Sequence, residues 1–280
     1  MRCFRSLAAL AFAPGLLFAQ TPVTLSQQSH TVTVVDEPSV PAVAANKIAS
    51  GANGATDPAA GTRSYSDDPR YTVSVSSLAA PEKARKAFNK GEEEARKGRW
   101  QFASDYFKKA IDMYPRYALA WLELGRVHVR QSSFVDAQQC FRQAVTEDSK
   151  LLDGYVELAN VGLQQQNWKD VADASDHLIQ LAPGSSAQYW LLNAAAYYNL
   201  GKLDQAEASI TRGLDLDSRH QFAEMEYLDA LILGSKKDYK AAAEHMTTYL
   251  QLAPNAPDHE AAQNLLAGYQ YQLQRAEQDQ

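Results

Sequence analysis

Residues 121–145 read WLELGRVHVRQSSFVDAQQCFRQAV, two apolar-periodic stretches separated by a polar break at 131–133. The second stretch sets Phe134, Ala137, Phe141 and Ala144 along one face of a 3.6-residue helix. The same cadence stands 34 residues earlier as Trp100, Ala103, Phe107 and Ala110, and 34 residues later as Trp168, Val171, Ser175 and Leu178. With one extra residue it returns as Leu203, Ala206, Ile210 and Gly213, and once more as Tyr239, Ala242, Met246 and Tyr249. One helical pair cannot bury its apolar face alone, so a fixed period of this length predicts a stack of pairs.

The first helices repeat as well. Trp121, Leu124, Gly125 and His128 are matched by Tyr155, Leu158, Ala159 and Gly162, then by Trp190, Asn193, Ala194 and Tyr197. The first copy, with Ala87, Lys90, Gly91 and Glu94, is poorer, as suits an end repeat that meets solvent. In the fifth copy the first helix falls around 223–233, and GSKKDYK at 234–240 reads as a longer loop. Pro81 is expected at the first helical position, with Glu82 beside it. The tail PDHEAAQNLLAGYQYQLQRAEQ at 257–278 reads as a capping helix, with Leu265, Leu266, Tyr269, Tyr271 and Leu273 covering the last pair.

This pattern resembles the tetratricopeptide repeat, in which W-x-x-L-G-x-x-Y is followed by A-x-x-x-F-x-x-A and a Pro. WLELGRVH with FVDAQQCFRQA departs from it at His128, where Tyr is usual, and at Ser149, where Pro is usual. The third copy departs at Val171 and Ser175, where Ala and Phe are usual. The resemblance spans about 84–254 and implies an all-α, right-handed superhelical solenoid of about five helix-turn-helix repeats over 81–257. A C-terminal capping helix and tail would then occupy 258–280.

What the resemblance implies for function is a non-catalytic scaffold or adaptor. First helices would line a concave groove that takes a peptide or helix of a partner protein. The groove positions are Phe88 from the first copy, and Leu119, Leu122, Arg126, Val129 and Arg130 from the second. The third gives Val156, Asn160, Leu163 and Gln164, and the fourth Gln188, Leu191, Tyr198 and Asn199. Apolar anchors would give burial and amides would bind a peptide backbone. Arg126 and Arg130, one turn apart, could clamp a carboxylate. The family's carboxylate clamp uses Lys and Asn; Asn160 matches one Asn, while Phe88 stands where a Lys is wanted.

Outside the repeats the sequence changes character. MRCFRSLAALAFAPGLLFAQ has Arg2 and Arg5, an apolar run from Leu7 to Phe18 and small Ala19, which reads as a secretory signal cleaved near Ala19. The run is broken by Pro14-Gly15 and falls short of the roughly 20 residues needed to span a bilayer. Export to a bacterial periplasm or the extracellular space is therefore expected, with no membrane span after cleavage. Losing the two arginines takes the formal charge from −6 to −8, which argues against nucleic acid as partner. Cys140 then remains alone; between Ala137 and Phe141 it reads as a small buried hydrophobe. Residues 20–80 read as a flexible linker with two alternating stretches, HTVTVVD at 30–36 and RYTVSVSSL at 70–78.

No catalytic motif emerges: G-x-S-x-G, G-x-x-x-x-G-K-[ST] and G-x-G-x-x-G are all missing. HEAAQ at His259 lacks the second His of a zinc helix, because Gln263 occupies that place. DLDSRH at 215–220 reads as a capped turn, and EKARKAFNKGEEEARKGR at 82–99 as a salt-bridged solvated face. Neither cofactor nor metal is expected. The rival reading is a structural or self-associating component that uses the convex face, the N-terminal segment or Cys140.

Overall fold

A computed structural model describes residues 79–278, and within them every regular element is an α-helix. The helices are α1 (Glu82–Arg96), α2 (Trp100–Met113), α3 (Ala118–Arg130), α4 (Phe134–Glu147), α5 (Leu152–Gln164), α6 (Trp168–Leu181), α7 (Ala187–Asn199), α8 (Leu203–Leu216), α9 (Glu224–Ser235), α10 (Tyr239–Leu252) and α11 (His259–Gln278). Successive helices pack as antiparallel pairs α1–α2 through α9–α10, and α11 lies on α10. This is the helical repeat solenoid the sequence predicts, with five pairs and a cap. The signal segment and both alternating stretches lie outside the described residues.

The first two pairs close on a small residue facing a large one. An added Cβ on Gly91 would sit 2.6 Å from the Phe107 ring, and one on Gly125 would clash with Phe141. Phe107, Phe141, Ala103, Ala137 and their repeat mates are buried. Close approach of the two backbones is thus what lets the phenyl ring fill the pair.

The turn inside each pair follows one recipe. Gly98, Ser132, Gln166, Gly201 and Lys237 occupy equivalent places, each with φ between 53° and 71°. The next residue closes a six-to-one bond to the helix: Arg99 N–H to Glu94 C=O at 2.9 Å, Ser133 to His128 at 2.9 Å, Asn167 to Gly162 at 2.8 Å, Lys202 to Tyr197 at 2.9 Å and Asp238 to Leu233 at 2.9 Å. This motif satisfies end-of-helix carbonyls and favours Gly at the left-handed position. The α9–α10 turn has the same length as the others, so GSKKDYK is no longer loop; the extra residues lie before α9, between Leu216 and Glu224. There Asp217 accepts from the N–H groups of Gln221 (2.9 Å) and Phe222 (2.8 Å), the capped turn expected at that stretch. Pro81 stands one place before the helix, with φ −56° and ψ 147°.

Between repeats a second clasp recurs. Trp121 Nε1–H donates to Pro115 C=O at 2.8 Å, Tyr155 O–H to Ser149 C=O at 3.3 Å, and Trp190 Nε1–H to Pro183 C=O at 3.2 Å. The aromatic that opens a first helix therefore ties down the turn that precedes it, whether or not that turn holds Pro.

The fifth repeat breaks the apolar rule. In register with α10, Glu226 and Asp229 occupy the places of Trp121 and Leu124, and both are buried. His245 of α10 lies between them, its Nδ1 2.7 Å from Glu226 and its Nε2 3.4 Å from Asp229, while His220 approaches Glu226 at 3.6 Å. The hydrogen bond to Glu226 raises the His245 pKa. Burial pushes Asp229 up to about 6, with His245 opposing. At the cap, Ala262 and Tyr269 are buried and Leu265, Leu266 and Leu273 half-buried, whereas Tyr271 is 52% exposed and does not cover the last pair.

Two outcomes are expected from this packing. Gly125→Ala should cost about 1–3 kcal/mol in urea unfolding because the new methyl meets Phe141, while Gly184→Ala, with open space around it, should stay within about 0.5 kcal/mol. Asp229 and His245 both bind their protons more tightly folded than unfolded. Stability of the last pair should therefore fall as pH rises, through Asp229 between about 4 and 6 and through His245 above about 6.5. Hydrogen exchange of α9–α10, corrected for intrinsic rates, should be faster at pH 8.5 than at pH 6, with α3–α4 unchanged.

Candidate functional site

First helices touch one another as well as their own partners, α1 with α3, α3 with α5 and α7 with α9. Second helices meet across repeats chiefly by long side chains, such as Gln138 and Arg142 of α4 reaching Asp170 of α6. The layer with the closer helices is the inner one, so α1, α3, α5, α7 and α9 line the concave side.

The fourteen groove positions do not share one environment. Phe88, Leu122, Leu163, Leu191 and Tyr198 are buried between helices and build the groove wall from within. Phe88 packs on Phe107 and Tyr117, with ring centroids 5.6 and 5.1 Å apart. Leu119, Arg126, Val129, Val156, Asn160, Gln188 and Asn199 are half-buried, and Arg130 and Gln164 are exposed. The accessible strip is therefore narrower and more polar than the residue list suggests.

Arg126 is already engaged. Its guanidinium donates to Glu123 (2.7 Å) on its own helix and to Asp153 (3.1 Å) and Glu157 (2.8 Å) on α5. It staples the second repeat to the third, which corrects its reading as half of a carboxylate clamp. Arg130 is placed differently: its guanidinium carbon lies 5.7 Å from the centroid of the Trp100 ring, a cation–π contact at the groove edge. Glu92, one repeat earlier, is pushed up to about 6 by burial and by the charge of Glu123, with Arg96 opposing.

Farther along, the lining is amide and hydroxyl. Asn160 has a side-chain oxygen buried from solvent with no hydrogen-bond partner. Asn199 spends its amide on Ala195 C=O at 2.7 Å, and Tyr198 O–H lies 3.5 Å from Ser235 Oγ. The carboxylates around Arg126 were not foreseen from sequence. Glu123 at i−3 was a visible signal, but Asp153 and Glu157 become neighbours only when adjacent repeats are laid side by side.

The thiol and imidazoles play other parts. Cys140 is buried and its thiol is pushed up to about 11 by burial, so it is a packed hydrophobe and not a nucleophile. His128 is half-buried inside its repeat, its Nδ1 unpaired and its pKa lowered by burial. His259 Nε2 sits 3.1 Å from Gln263 Nε2, the residue standing where a second zinc ligand would be.

Known proteins agree with this geometry. A tetratricopeptide repeat family model matches residues 88–151 and 191–257. Among solved structures, YrrB, described as a TPR protein with an unusual peptide-binding site, superposes with a TM-score of 0.59 at 18% identity, covering 65% of this chain and 92% of that one. A tetratricopeptide repeat protein from Parabacteroides merdae gives 0.57 at 14% identity, over 71% of this chain and 78% of that one. MamA from Desulfovibrio magneticus RS-1 gives 0.54 at 19% identity, over 64% and 99%. In Saccharomyces cerevisiae, the Essential for maintenance of the cell wall protein 1 is 23% identical over 95 residues, which is 32% of this chain but only 10% of that protein. The helix pairs, the recurring signature positions and these matches together show an all-α solenoid of tetratricopeptide-type repeats.

Proposed function

We propose that the array is a protein-interaction scaffold that holds an extended segment or helix of a partner in the strip formed by α3, α5 and α7. The observation that carries this reading is the polar strip around Asn160, a half-buried side chain with exposed Gln164 and Arg130 nearby, whose amides a partner's backbone could meet. Gln164 and Gln188 flank it with further amides, and Arg130 offers a cation at the edge. Since Arg126 is held by three carboxylates, recognition does not run through a paired-arginine clamp for a chain terminus. YrrB, with its unusual peptide-binding site, supports peptide capture as a use to which this fold is put. The sequence features of residues 1–19 support work outside the cytoplasm, in a bacterial envelope.

A second reading, self-association through the outer helices, is favoured by Val135 on α4 and Tyr271 on α11, 62% and 52% exposed. The two separate cleanly in one experiment. The full chain is used as bait in an envelope extract beside Asn160→Leu and Arg130→Glu variants of unchanged helical content. Groove binding is supported when a partner captured by the unmodified chain is lost with both variants. Equal capture by all three sinks it, and a concentration-dependent mass in light scattering with no partner would support self-association. Arg126→Met is unsuitable as a groove probe: leaving its carboxylates unpaired should cost about 1–3 kcal/mol, read as a lower urea midpoint.

A further inference from the structure

The first helices α3, α5, α7 and α9 are each covered on two sides, by the pair before them and by their own second helix, whereas α11 rests on the last pair by one side. Ala262 and Tyr269 are buried on that side. On the opposite side Ala261, Asn264, Gly268 and Tyr271 recur at three- and four-residue spacing, and all four are exposed.

Gly268 shows that the uncovered side is shaped for a close neighbour. Six of the seven glycines inside the described helices already serve one. A methyl at Gly91, Gly125, Gly154, Gly162, Gly213 or Gly234 would come no farther than 3.2 Å from another side chain. At Gly268, in the middle of the 20-residue α11, nothing lies within 4 Å. Glycine weakens a helix interior relative to alanine, and here no contact among the described residues offsets that loss.

Charge on the same helix is arranged to match. Glu260 lies in the first turn and Arg275 in the last, both exposed and without an ion pair among the described residues. Fifteen residues put them about 22 Å apart along one helix, too far to meet each other. Gly268 stands eight residues after the first and seven before the second. An antiparallel copy of the helix crossing at Gly268 therefore sets a positive charge beside each negative one.

We propose that this side of α11 is where two copies of the chain pair, their helices antiparallel and crossing at Gly268. The shallow crossing uses the missing Cβ, lays each Tyr271 along the other helix and brings Glu260 beside the partner's Arg275 at both ends. The contact is two-fold, so it closes at a dimer. One helix pair falls below the roughly 1,200 Å² of a standard interface, which puts the dimer in the weak, reversible class. The inference rests on the self-association reading and gives it a defined face, and it leaves the concave strip free for its own ligand.

Sedimentation equilibrium of the full chain tests it. The unmodified protein should pass reversibly from monomer to dimer as concentration rises. Gly268→Ala should raise the urea midpoint, because alanine favours helix, and yet weaken the dimer about tenfold; a glycine with a purely structural role would not split the two readouts. Glu260→Lys and Arg275→Glu should each weaken pairing about threefold, since like charges then meet, and an equal mixture of the two variants should recover a heterodimer as tight as the unmodified dimer. A full chain that stays monomeric up to millimolar concentration sinks both this face and the self-association reading, and leaves the face to a different protein. Dimers that ignore all three substitutions, or masses that climb past the dimer, keep self-association and overturn this face. So does a mixture that pairs no better than either charge variant alone.

Discussion

The array depends on the two helical backbones of each pair coming close together, and in the first two pairs one aromatic ring fills the space between them. Gly91 under Phe107 and Gly125 under Phe141 are the clearest cases: a single methyl would force the pair apart. Once that spacing is set, the three-residue turn with its left-handed residue has little freedom. The aromatic at the head of the next first helix can then reach the turn before it, as Trp121 reaches Pro115. Pair geometry and stacking geometry are consequently one constraint seen at two distances.

Where the ring is missing, polar atoms take over its space. The third repeat places Ser175 at the Phe107 position, and Asn193 of α7 donates to Ser175 Oγ at 3.0 Å and to Asp176 at 2.7 Å. The Asn193 oxygen accepts from Ser209 of α8 at 2.6 Å, while Tyr197 donates to Asp176 at 2.7 Å. Such a chain crosses α6, α7 and α8 with its buried groups partnered, so it forfeits apolar burial but admits only one register. Glu226, Asp229 and His245 do the same one repeat later with charge, and that choice makes the last pair the pH-sensitive one.

The helices, the five-fold period and the burial of Cys140 were legible in the sequence because small and large residues recur in phase. The fifth first helix was less legible for a physical reason: Glu226 and Asp229 occupy core positions, so hydrophobic periodicity weakens at the place where the structure keeps its register. The groove was legible as a set of positions but not as an environment. Periodicity assigns Leu122 and Val156 to equivalent sites, yet neighbours from the next repeat bury the first and leave the second half-exposed. Arg126 shows the same limit more sharply. Its spacing from Arg130 suggested a clamp, and only the adjoining helix reveals the Asp153 and Glu157 that hold it.

That last point bears on how such an array separates stability from recognition. A guanidinium bonded to three carboxylates across two repeats is a structural joint, because moving it toward a ligand would leave those carboxylates facing each other. A guanidinium over an exposed indole gives up little when it turns to a new partner, since a cation–π contact at an exposed site is worth only about 0.5–1 kcal/mol. Arg126 and Arg130 are one helical turn apart and chemically identical, yet the first holds repeats together and the second is available. The difference lies in the neighbouring repeat. Recognition in this chain therefore falls to side chains that no carboxylate of the adjoining repeat engages among the described residues: Arg130, resting over Trp100, and not Arg126, which Asp153 and Glu157 hold.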